Sequence, residues 1–199
     1  MIISYNNKTP VIHPTSWVAP EATICGDVTI DAYTRIMWGA RVIAEGGRIK
    51  IGEYCIIMEN AVVRSTARHS LQIGHYCLIG PNAHVVGCLI EDEVFIATGA
   101  AIFHGAKIGK GSEVRINGIV HLKSYLSEGA IVPIGWVAVG DPANILPPDQ
   151  HDKIWAIQQP LNFPLVVYGV DRTEGDTMIK VTKRLSEALA GHKDDEIVS

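Results

Sequence analysis

Ile or Val returns every sixth residue along most of this chain, and few folds accommodate that rhythm. The series runs from Ile12 through Val18, Ile24, Ile30, Ile36 and Val42, then through Ile51, Ile57 and Val63, and again through Ile73, Ile79 and Val85. After one shortened step it continues through Ile90, Ile96, Ile102, Ile108, Val114, Val120, Leu126 and Val132. Four residues after most of these positions stands a small side chain, among them Ala22, Ala40, Cys55, Ala61, Cys77, Ala83 and Ala100. A six-residue period pairing a β-branched residue with a small one marks a β-solenoid. Each hexad supplies one short strand and a corner, and three hexads close a triangular rung. The β-branched side chains point inward and stack on their equivalents in the next rung, about 4.8 Å away. A sandwich would alternate with period two and carry no fixed hexad. Residues 1–144 are therefore expected to form an all-β parallel β-helix of triangular rungs.

With 199 residues, 47% of them hydrophobic and 19% charged, the chain can bury a substantial core and reads as one domain plus a tail. A net charge of -4 and the lack of any basic run leave no electrostatic footprint for nucleic acid. No apolar run approaches the roughly 18 residues of a membrane span. No signal peptide is read at the N-terminus, and a cytoplasmic location is expected. Cys25, Cys55, Cys77 and Cys88 form no CxxC pair, and three of them fall at or beside inward hexad positions, so they read as small core residues.

Residues 145–199 are expected to be a helical tail packed on the β-helix. Pro147-Pro148-Asp149 opens a helix through about Gln158, with Ile154, Trp155 and Ile157 on its packing face. Pro160 and Pro164 break it. Leu165–Val170 is apolar and reads as a strand or an extended contact. A second helix starts at Asp176 or Thr177, repeats Met178, Val181, Leu185 and Ala188 at helical spacing, and stops at Gly191. The last eight residues are expected to fray.

The stretches Trp38–Gly52, Ile56–Gly74 and Ile79–Ile90, with the closing Val139–Asn144, resemble the γ-class carbonic anhydrase family. That family comprises left-handed β-helix homotrimers and includes carnitine-operon and phenylacetate-pathway proteins. The resemblance implies a left-handed β-helix and a homotrimer. It places the family's three zinc-binding imidazoles on Arg64, Pro81 and Val86, and its Arg-Gly-Asp on Ile43, Ala44 and Glu45. None of the three zinc positions keeps a ligating side chain, whereas zinc needs three or four N, S or O donors. No metal is therefore expected there, no cofactor is expected elsewhere, and without a metal-bound hydroxide CO2 hydration is not expected.

Counting rungs stacks Ile43, Arg64, Val86, Phe103 and His121 in one column, with the longer loops Ala44–Lys50 and Ser65–Gln72 leaving from its edge. A guanidinium cannot be neutralised, so Arg64 must pair or bind an anion, with Glu59 and Glu45 as candidate partners. Two readings follow. In one, the chain is a zinc-free structural or scaffold relative. In the other, a groove between subunits, lined by Ile43, Glu45, Met58, Arg64, Pro81, Asn82, Val86, Phe103 and His104, holds a small acyl, CoA-thioester or carboxylate compound. His84, Arg64 and Glu59 are the catalytic candidates in that groove, His84 as a general base. A third arrangement would gather His69, His84 and His104 into a relocated metal site. His13, His75, His121, His151 and His192 show no constellation, and there is no Ser-His-Asp arrangement, P-loop or Rossmann fingerprint. Gly109–Ser112 is a solenoid corner.

Overall fold

A computed structural model describes residues 1–198 of the chain. The predicted β-helix is present: short parallel strands stack into three sheets, and successive strands pass from one sheet to the next. Ile24, Val42, Val63, Val85, Ile102 and Val120 pair in register from rung to rung and are fully buried. Withdrawing each such side chain from water contributes about 2 kcal/mol, which is why the hexad dictates the architecture. At the corners before these strands the chain turns with left-handed backbone at Gly39, Asn60, Asn82 and Gly99. The small Ala40, Ala61, Ala83 and Ala100 follow directly and are buried. Gly39 has a particular reason to be glycine, because a Cβ there would run into Asn60 Oδ1 of the next rung.

The two interruptions of the hexad series are smaller than the sequence suggests. Strands Arg41–Glu45 and Val62–Thr66 are five residues long, and the chain re-enters the next sheet at Ile49 and Leu71. The expected long loops thus shrink to turns, the second closed by paired hydrogen bonds between Thr66 and His69. All four cysteines are free and buried.

The tail departs from expectation in four places. Asn144–Leu146 forms a strand antiparallel to Val137–Val139. Helix α1 then starts only at His151 and ends at Gln158, burying Ile154 while Trp155 stays 38% exposed, beside His151 and Arg172. The apolar stretch read as a strand is instead helix α2, Phe163–Tyr168, because Pro164 occupies its first turn, where a missing N–H costs nothing. Helix α3, Thr177–Leu189, matches the expected span but buries only Val181 of its apolar stripe. Finally, the end is not frayed. Glu196–Ile197 pairs antiparallel with Ile2–Ser4, and the Val198 N–H donates to the Ile2 carbonyl at 2.8 Å. The ten-stranded sheet is therefore flanked at both ends by antiparallel strands. Among the described residues no helix is long and apolar enough to cross a membrane.

Candidate functional site

The column counted from the hexads exists. Arg64 pairs in register with Ile43 on one side and Val86 on the other, and Cys25 pairs with Ile43. The same column continues to Phe103 and His121, whose rings lie 5.6 Å apart. Because Val42, Val63 and Val85 point inward, each residue after them points out. Their outer face is not left to solvent. Helices α2 and α3 lie across it, and Phe163 of α2 packs edge-on against Phe103 and His104 at 6.3 Å.

Between the sheet and these helices lies a cavity of about 500 Å³. Arg64, His84, Val86 and His104 form its floor, and Val167, Tyr168, Val181 and Leu185 its roof. Three guanidiniums, those of Arg64, Arg68 and Arg184, face one carboxylate, Glu45, in its lining. Arg64 Nη2 meets Glu45 Oε2 at 2.5 Å, with the side chains 33% and 15% exposed. Arg184 donates to the Gly169 carbonyl, and Arg68 Nη1 to the Leu165 carbonyl at 3.4 Å. Three lining residues each carry a buried polar atom with no partner among the described residues: Arg64 Nε, Thr66 Oγ1 and His104 Nδ1. A buried polar group without a partner costs about 1–3 kcal/mol, and in the lining itself the guanidiniums outnumber the one carboxylate.

The imidazoles around it are neutral. Burial, followed by the nearby His69, His84 and Arg64, pushes His104 down to about 4. Burial and Arg64 lower His84, and burial with Lys123 and Arg68 lowers His69.

Of the residues expected to line a groove, Glu45, Arg64, Val86 and His104 do so, and His84 joins them. Ile43 stacks beneath Arg64, and Phe103 is taken up by His121 and Phe163. Met58, Glu59, Pro81 and Asn82 lie at or beside the corners preceding the column strands and are absent from the cavity lining. Arg64 pairs with Glu45 rather than Glu59, because Glu45 stands two residues past Ile43 on the same face of the adjacent strand. The wall opposite Arg64 comes from the chain's own α2 and α3, where the sequence reading placed a second subunit. His69 and His104 approach to 5.3 Å between rings. Among the described residues, however, the three-donor set close enough to share a metal ion is Cys25, His192 and Asp195. Arg68, Arg184, His192 and Asp195 were missed because no local pattern marks them. Arg184, His192 and Asp195 reach the site only through the docking of the tail, and Arg68 from the Thr66–His69 turn meets it there.

No protein-family model matches the chain. Its sequence is 29% identical over 159 residues to γ carbonic anhydrase 1 of Arabidopsis thaliana mitochondria, a match covering 77% of this chain and 56% of that protein. It is 26% identical over 151 residues to the carnitine operon protein CaiE of Escherichia coli, covering 76% and 74% of the two chains. The chain thus resembles the γ-carbonic anhydrase-like hexapeptide-repeat proteins. A solved structure from Bacillus cereus, provisionally described as an acetyltransferase, superposes with a TM-score of 0.53 at 20% identity over 93% of this chain and 95% of that one. That likeness is one of fold. The chain spans little more than half the length of the plant relative.

Proposed function

We propose that this protein is a homotrimeric family member that holds no zinc at the family position and binds a small organic anion, an acyl compound or carboxylate, between its β-helix and its C-terminal helices. The donor set at Arg64, Pro81 and Val86 does not fit a zinc ion. A guanidinium is always protonated and offers no lone pair, and the other two side chains have no donor atom. The observation that carries the binding reading is the cavity itself, in whose lining three guanidiniums accompany the single carboxylate of Glu45. That surplus of arginine over glutamate favours a negative acceptor. Val167, Val181 and Leu185 supply the apolar roof for its hydrocarbon part. His84, neutral and beside Arg64, is the general base for any reaction on the bound compound.

The test is thermal unfolding and calorimetry with a series of short fatty acids, acetate to hexanoate, and with acetyl-CoA. Saturable binding that raises the melting temperature with concentration, and at least about tenfold weaker binding by Arg64→Gln, is the expected result. Uniform indifference to every member of the series would favour the scaffold reading instead.

A further inference from the structure

The end of the chain closes over Cys25. This thiol lies between Ile3 and Ile43 in the column that runs on to Arg64 and Val86, is 3% exposed, and has His192 of the turn Ala190–Asp194 beside it. His192, in that turn, stacks its ring on Tyr5 at 4.4 Å. Its Nδ1 donates to Asp195 Oδ2 at 2.9 Å, and its Nε2 stands 3.5 Å from Glu45 Oε1. Donor atoms of Cys25, His192 and Asp195 all fall within 4.8 Å of one another. Two groups in this cluster lack partners. Asp195 Oδ1 is buried without a hydrogen bond. The Cys25 thiol, like that of Cys88, has none among the described residues, whereas Cys55 and Cys77 donate to carbonyls at 3.0 and 3.1 Å.

We propose that Cys25, His192 and Asp195 form a structural zinc site that clips the C-terminal turn onto the first rungs, separate from the family's metal position and from the three histidines of the cavity. Sulfur, imidazole and carboxylate together are a zinc donor set, and a thiolate disfavours the hard cations that prefer oxygen alone. A protonated His192 would satisfy the two carboxylates but leave the thiol and Asp195 Oδ1 idle. A dication engages them all. With a thiolate, Asp195, Glu45 and the Arg64 guanidinium around it, the charges sum to zero, the thiol proton passing to solvent as the metal binds. Glu45 is the carboxylate that faces the ring from the second side, and it ties this clip to Arg64 in the cavity.

Protein purified without a polyhistidine tag and stripped with chelator would be titrated with zinc by calorimetry, and with cobalt by absorbance. One equivalent per chain, and a near-ultraviolet cobalt–thiolate band, are expected. Cys25→Ser abolishes the band, His192→Gln weakens zinc at least about tenfold, and His69→Gln and His104→Gln leave both unchanged. If Cys25→Ser fails to fold, His192→Gln decides. Wild-type protein that takes up no zinc, or binds cobalt without a thiolate band, overturns the proposal, as does loss of metal in His104→Gln with retention in His192→Gln.

Discussion

His104 shows how burial writes a pH dependence into this protein. Its ring is 8% exposed and sits near His69, His84 and Arg64, so the charged form is disfavoured and the group titrates near 4 instead of 6.5. Between those two values the unfolded chain binds a proton that the folded chain refuses, so stability falls as pH drops from about 6.5 to about 4 and is fully present above that window. At about 1.4 kcal/mol per pH unit the loss is on the order of 3 kcal/mol from this residue. His69, His84 and His121 are lowered in the same direction. Denaturant midpoints measured from pH 7.5 to 4.5 (about three units of range) would show the slope, and His104→Gln is expected to flatten it. An unchanged slope in that variant would mean the ring is charged or solvated in the folded state.

At the level of elements, helix α2 holds the roof of the cavity through one aromatic ring. Phe163 meets Phe103, His104 and Tyr168 but is only half-buried, so Phe163→Ala is expected to cost less than the roughly 3–5 kcal/mol of a fully buried Phe. The rungs do not depend on that contact. The loss is therefore expected as local opening, with faster hydrogen exchange confined to 163–189 and weakened anion binding, while strands such as Val62–Thr66 stay protected. Exchange spread evenly through the rungs would contradict this division. It also explains what the sequence revealed. The hexads were legible because every inward Ile or Val repeats the same environment, and Arg64 was found by counting from Val63. Helix α2 was not, since Phe163–Tyr168 is as apolar and β-branched as a strand and only the position of Pro164 argues otherwise. The Arg64 partner needed the strand register, which puts Glu45 opposite Thr66. The part of the site supplied by Arg184, His192 and Asp195 depends on long-range docking that leaves no periodic trace.

For the whole molecule, one sheet face lacks a cover. Trp17, Ile56, Leu78, Phe95 and Ile131 project from the stacked strands of one seven-stranded sheet, and most are exposed. Arg35 and Glu113 interrupt this row, leaving Ile56, Leu78 and Phe95 as adjacent apolar neighbours. An exposed apolar strip of this kind is a candidate association surface, and the family resemblance implies a trimer. Light scattering is expected to give three times the 21.6 kDa chain mass, and Phe95→Glu to shift the protein toward monomers that remain folded. A wild-type monomer at micromolar concentration would refute it. The two antiparallel strands at the ends of the ten-stranded sheet carry a different consequence. Rungs of a solenoid can close in the order in which a ribosome delivers them, each on its predecessor. Strand Ile2–Ser4 is delivered long before its partner, and its outer hydrogen bonds wait for Glu196–Ile197. While the rungs between them are made, that edge stays open to any passing strand, until a much later segment of the same chain arrives to seal it.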